Sequence, residues 1–210
     1  MSGAIFDVDG TLLDSMGVWY NVTENYFRLN GKPLDPQIGA LFQNMTLTDS
    51  TSYMHNVLGF SDKPEQILNN LEQMIAVEYE QNIPLKPYAE EYICALYKNG
   101  VRLAVATSGY ARLWRSAFDR LGILKYFDAA AFSSEVGVDK SNPDVYLLAA
   151  ERLGKAPCEC TVYEDILTGI IGAKKAGMRT VGIYDESNEN DKEEIIKHAD
   201  IYVKDYSELF

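Results

Sequence analysis

The chain has 210 residues, room for one ordinary domain or for a core that carries a smaller inserted one. With 47% hydrophobic and 24% charged residues it lies outside the range of disordered chains. A formal net charge of -12, with no Lys/Arg cluster to offset it locally, argues against nucleic acid and anionic membranes as partners, so an anionic ligand would need a few local donors or a bound cation.

In chain order, the first residues reach Asp7 without the basic and apolar regions of a secretory leader. No stretch approaches the ~20 apolar residues of a membrane span, so a cytoplasmic location is expected. Residues 4–8 form a short apolar run of the kind that makes a buried parallel strand. From residue 15 to residue 86 no strand is evident. Helical stretches at 17–29, 49–58 and 64–81 are separated by Gly31-Lys32-Pro33 and by residues 59–64. In the longest of these, Ile67, Leu68, Leu71, Met74 and Ile75 fall on one helical face, as in a bundle member.

After residue 86 strands and helices alternate. Strands are predicted at 102–106, 129–132, 161–163, 180–183 and 201–203, and helices at 89–99, 110–121, 143–153, 168–176 and 189–198. Gly100, Gly122 and Gly154 follow three of these helices, and Pro143 suits a first helical turn. The pattern predicts an α/β fold, a doubly wound parallel sheet interrupted once by a helical insertion, with ligands at the carboxyl ends of the strands. Cys94, Cys158 and Cys160 are too few and too uneven for a disulfide framework. Cys158-x-Cys160 lacks the second Cys/His pair of a structural zinc site, so reduced thiols are expected.

Four strand ends carry unusual residues. Asp7 and Asp9, in Asp7-Val8-Asp9-Gly10-Thr11, would face one pocket if the strand geometry continued, although Asp-Gly is also a common turn pair. Thr107-Ser108-Gly109 leads into a helix and could bind phosphate through backbone N–H groups and hydroxyls, or simply cap the helix. Lys140 precedes the helix at Pro143 and could balance the charge of carboxylates and phosphate, where a lone lysine is usually solvated. Glu164-Asp165 ends another strand and offers hard oxygen ligands suited to Mg²⁺, or merely favours the next helix through its dipole. Together they form the residue set for Mg²⁺-assisted phosphoryl transfer through a carboxylate nucleophile.

These residues resemble the haloacid dehalogenase superfamily across essentially the whole chain. Asp7-Val8-Asp9-Gly10-Thr11, Thr107-Ser108, Lys140 and Glu164-Asp165 look like its four motifs in order. The stretch with Gly169, Ala173, Ala176 and Gly177 is similar to the beta-phosphoglucomutase-like subfamily. The resemblance implies a Rossmann-like catalytic core at residues 1–14 and 87–210 and a helical cap at 15–86. It also implies a nucleophile at Asp7 that forms an aspartyl-phosphate, and a general acid and base at Asp9. Mg²⁺ would be held by Asp7, the Asp9 carbonyl and Asp165, with Glu164 binding directly or through water. Thr107, Ser108, Gly109 and Lys140 would bind the phosphoryl group, with Met16, Trp19, Tyr20, Asn44, Met45 and Thr46 as candidate cap contacts, although Trp19 and Tyr20, as aromatic residues on an amphipathic helix, equally suit packing within the cap. Mutase members carry a histidine about where Trp19 lies and a cap arginine that Phe42-Gln43-Asn44-Met45-Thr46 lacks. The resulting expectation is a monomeric phosphatase acting on a small phosphorylated metabolite such as a sugar phosphate. The alternatives are a phosphosugar mutase and a non-catalytic phospholigand-binding regulator, and the intact acids argue against the last.

Overall fold

The first strand, β1 (Gly3–Phe6), is small or apolar at every position and wholly buried. It is followed by β2 (Arg102–Thr107), β3 (Ala129–Phe132), β4 (Cys160–Glu164), β5 (Arg179–Ile183) and β6 (Ile201–Val203). In the computed structural model, which describes residues 2–42 and 45–210, these six strands form one parallel sheet in the order β3-β2-β1-β4-β5-β6. The order reverses at β1, which pairs with β2 on one side and β4 on the other. A doubly wound sheet opens a crevice for ligands at such a switch point.

The helices are α1 (Met16–Leu29), α2 (Pro36–Phe42), α3 (Leu47–Asn56), α4 (Pro64–Gln81), α5 (Ala89–Lys98), α6 (Ala111–Arg120), α7 (Ser133–Val136), α8 (Asp144–Leu153), α9 (Leu167–Lys175) and α10 (Lys192–His198). The chain divides into two compact units, Gly17–Asn82 and the remainder, Met1–Met16 with Ile83–Phe210. No helix among the described residues is long and apolar enough to cross a membrane.

The unit Gly17–Asn82 is helical. Helix α4 starts cleanly because Pro64 occupies its first turn and the Lys63 backbone N–H donates to Gln66 Oε1 at 3.0 Å. Its buried stripe runs Ile67, Leu71, Ile75 and Tyr79, while Leu68 and Met74 are only half-buried. Val22, Tyr26 and Phe27 of α1 are also buried, and the Phe27 and Phe60 rings meet edge to face at 4.9 Å.

In the larger unit the sheet has two differently furnished faces. On one, Ala104, Ala106 and Ala131 are small enough to let α8 lie close, and Tyr146, Ala149, Ala150 and Leu153 fill the space. On the other, Phe6 stacks on Tyr163 at 4.3 Å across the β1/β4 pair, with Tyr92 and Tyr206 packed around Tyr163. Stacking of this kind adds about 0.5–1.5 kcal/mol beyond the area it buries.

The six strands agree with the predicted ones to within two residues, and the differences have local causes. β1 stops at Phe6 rather than residue 8. The Asp7 N–H still reaches the Tyr163 carbonyl at 3.0 Å, and the chain then turns through Gly10 at φ +84°. The predicted helix 189–198 is shorter, because Glu186–Asp191 forms a 3₁₀ turn with Asn188 at φ -108°, ψ 17° before α10 begins. Helices α2 and α7, of seven and four residues, were not anticipated.

Candidate active site

Asp7 lies just past β1, Glu164 closes β4, Asp165 follows it, and Lys140 sits in the loop before α8. One carboxylate oxygen from each of Asp7, Glu164 and Asp165 lies within 4.8 Å of the others, all three residues being buried. They are the only group of three or more metal-ligating side chains found among the described residues. Lys140, 5% exposed, bridges two of them, donating to Asp7 Oδ1 and, at 2.5 Å, to Glu164 Oε1.

Among the described residues, the third acid, Asp165, takes its hydrogen bonds from neutral donors. The Thr11 hydroxyl donates to Asp165 Oδ1 at 2.7 Å, and the Asn188 amide donates to Oδ2 at 2.8 Å. Glu164 Oε1 takes a second hydrogen bond from the buried Tyr146 hydroxyl at 2.8 Å, while its Oε2 has no partner among the described residues.

Among the described residues, three carboxylates therefore face the single ammonium of Lys140. Burial pushes Glu164 up to about 7, against the pull of Lys140 and with the push of Asp7. Burial, and then the charges of Asp7 and Glu164, hold Asp165 well above the usual carboxylate range. Burial works against the Lys140 ammonium, but Asp7 and Glu164 outweigh it and keep that pKa above the ordinary lysine value. Both acids are buried beside Asp7 rather than exposed at the start of α9, a placement that the helix-start explanation by itself does not require.

A divalent cation would relieve this excess negative charge. The three clustered oxygen donors and the orphaned Glu164 Oε2 fit a hard ion of the Mg²⁺ class.

Glycines make the cluster possible. A Cβ on Gly169 would lie 2.4 Å from Glu164 Cδ, and one on Gly10 would lie 2.3 Å from Asp165 Oδ2. A Cβ on Gly172 would come within 2.0 Å of the Lys140 carbonyl, so α9 can approach the Lys140 loop only with glycine there.

The other expected residues divide. The Asp9 carboxylate is outside the group of three, since β1 has ended and the side chain instead accepts from the buried Ser15 hydroxyl at 2.7 Å. A Cβ on Gly109 would lie 3.1 Å from Asp9 Oδ2 and 3.3 Å from Thr107 Oγ1, which brings the loop after β2 beside Asp9. Buried Thr107 accepts from the Gly109 N–H at 2.9 Å, whereas exposed Ser108 shares a hydrogen bond with Ser133. Trp19 is half-buried on α1 in the helical unit, and Asn44 lies outside the described residues.

Sequence reasoning missed Thr11, Ser15, Tyr146 and Asn188 as site residues. Thr11 lies inside a quoted motif and could have been found there. Tyr146 and Asn188 reach the acids from 18 and 23 positions away, with no local pattern to mark them. The three cysteines are free thiols, Cys158 exposed and Cys160 buried.

A family model described as haloacid dehalogenase-like hydrolase matches residues 1–177. Hexitol phosphatase A of Escherichia coli K12 is 30% identical over 182 residues, which span 86% of this chain and 82% of that protein. A phosphorylated carbohydrates phosphatase of Thermotoga maritima is 26% identical over 181 residues, 86% of this chain and 84% of that one. Among solved structures, a Thermotoga maritima protein provisionally assigned as a beta-phosphoglucomutase superposes with a TM-score of 0.87 at 26% identity, covering 97% of this chain and 94% of that one.

Proposed function

Because the chain belongs to the haloacid dehalogenase-like hydrolase family, we propose that it is a Mg²⁺-dependent phosphatase that hydrolyses a small phosphorylated metabolite of the sugar-phosphate class through an aspartyl-phosphate. The observation that carries this reading is the buried cluster of Asp7, Glu164 and Asp165 with Lys140 set between two of its members. The sugar class draws on relatives named for hexitol phosphates and phosphorylated carbohydrates.

In this reading Asp7 attacks phosphorus. Lys140 orients the nucleophile by holding Oδ1, and it offsets charge as the phosphoryl group arrives. Asp9, set apart from the cluster and held by Ser15, gives a proton to the leaving alkoxide and later takes one from the attacking water. Thr107 and Ser108 supply hydroxyl donors to the phosphoryl oxygens, and the Gly109 N–H joins them if it turns from Thr107 Oγ1 to the ligand. Asp7, Asp165 and Glu164 would hold the cation, with the Asp9 carbonyl as a further ligand. When bound, Mg²⁺ supplies charge neutralisation that lets one anion approach another. The helical unit would serve as a cap, with selection of the alcohol through Trp19 and Asn44.

The test is phosphate release from a panel of sugar phosphates and an aryl phosphate, in Mg²⁺ or EDTA, with wild type and Asp7→Asn side by side. Release that needs Mg²⁺ and falls by orders of magnitude in Asp7→Asn is expected, since a neutral amide is no nucleophile here. Activity near wild type in the variant would remove Asp7 from its role. A mutase would instead isomerise a sugar phosphate faster than it releases phosphate, and only with a bisphosphate activator. The absence of arginine from residues 42–46 favours the hydrolase.

A further inference from the structure

Asp165 is held from two sides. Thr11 Oγ1 donates to Oδ1 at 2.7 Å and Asn188 Nδ2 donates to Oδ2 at 2.8 Å, which fixes the rotation of the carboxylate about its last bond. Only the NH₂ end of an Asn amide can donate to a carboxylate, so the contact also sets the amide's orientation.

The turn that carries Asn188 is itself built around another acid. Asp185 Oδ1 accepts from the Ser187 N–H at 2.9 Å and the Ser187 hydroxyl at 2.6 Å, and its backbone carbonyl accepts from the Asn188 N–H at 3.1 Å. Lys86 anchors the other oxygen of Asp185 at 2.8 Å, with both side chains at most 10% exposed. At Asn188 the backbone leaves helical geometry for φ -108°, ψ 17°, in the sparsely allowed region where many active-site residues sit.

We infer that Asn188 is a positioning residue for the cation site. It presets the Asp165 carboxylate for Mg²⁺, and it does so without a competing charge. This rests on the proposed Mg²⁺ role of Asp165. Asp7 and Glu164 share the Lys140 ammonium, which must be offset or displaced before either gives its full charge to a cation. The donors on Asp165 are neutral, and each of its oxygens keeps a lone-pair site for a metal. Donors that orient metal ligands in this way typically change metal affinity by about 10–100-fold when removed.

The experiment measures binding of Mg²⁺ alone, by calorimetry and by Mg²⁺-dependent thermal shift, to wild type, Asn188→Ala, Asn188→Leu and Asp165→Ala. Leucine keeps most of the asparagine's bulk in the turn but cannot donate, so it serves if the alanine variant folds poorly. Both Asn188 variants are expected to bind Mg²⁺ at least about 10-fold more weakly, with activity that recovers as Mg²⁺ is raised. Wild-type Mg²⁺ affinity in both, alongside impaired binding in Asp165→Ala, would overturn the role of Asn188 and leave the cation site standing. A lower melting temperature in EDTA with unchanged affinity would assign Asn188 to the turn alone and overturn the inference. Undiminished binding by Asp165→Ala would instead overturn the cation site, and the inference with it.

Discussion

At the scale of single residues, Lys140 carries the heaviest electrostatic burden. It is almost wholly buried between Asp7 and Glu164, and a third acid lies beside them. Removing one member of such a buried pair costs about 3–5 kcal/mol, because the partner charge is left uncompensated. Lys140→Met should lose stability of that order in EDTA, measured by urea unfolding, and Mg²⁺ should restore more of it than in wild type. A loss that Mg²⁺ does not relieve would mean that the three acids do not share the ion. Gly10 is constrained in two ways, by its φ of +84° and by Asp165 Oδ2 where a Cβ would go. Tyr146, whose hydroxyl pKa is raised well above normal by burial and then by Glu164, stays a donor to that acid.

At the scale of elements, the approach of α9 to the loop before α8 depends on Gly172. Gly172→Ala should force the two apart at backbone atoms that cannot swing aside, costing about 1–3 kcal/mol. Calorimetric unfolding would detect it, and a cost near zero would mean that the approach relaxes freely. The Lys86–Asp185 pair ties the segment returning from the helical unit to the turn after β5. Burial alone would raise Asp185, but Lys86 and the donors of Ser187 outweigh it and hold its pKa below the ordinary Asp value. A carboxylate depressed on folding contributes stability that is fully present above its unfolded pKa of about 3.9 and is lost as pH falls through the folded value. The advantage of wild type over Lys86→Met should therefore shrink as pH drops from 6 towards 3 in denaturant titrations. A constant difference would locate the effect in packing.

Much of this level was legible in the sequence, because apolar runs and glycine stops mark strands and helix ends locally. The alternation after residue 86 and the order of the acids could be read directly. The short α2 and α7 have too few turns to display a period, and the end of β1 at Phe6 follows from a turn rather than from composition. Two donors to Asp165 and Glu164 were invisible for a different reason. Thr11 sits within the first acidic motif, whereas Tyr146 and Asn188 become neighbours of the acids only through the tertiary fold, which no window of sequence contains.

At the scale of the whole molecule, each unit has its own buried core, and the chain leaves and re-enters the larger unit through adjacent extended segments. Leu13 bridges Leu85, and the Asp14 N–H donates to the Pro84 carbonyl at 3.0 Å. Closing so short a gap costs little chain entropy. Replacing residues 17–82 with a brief Gly/Ser loop should leave the sheet folded by circular dichroism and able to bind Mg²⁺. An unfolded product would mean that the larger unit is not autonomous. The central place of β1 carries a consequence for the order of synthesis. Gly3 pairs with Arg102 and Cys160, so β1 has no sheet neighbour until roughly a hundred more residues are made. At about 5–20 residues per second that wait is on the order of ten seconds. The described helices α1–α4 of the inserted unit are complete within it, so the guest is expected to fold before its host, and β1 waits unpaired, its apolar side chains uncovered by the sheet, until β2 arrives.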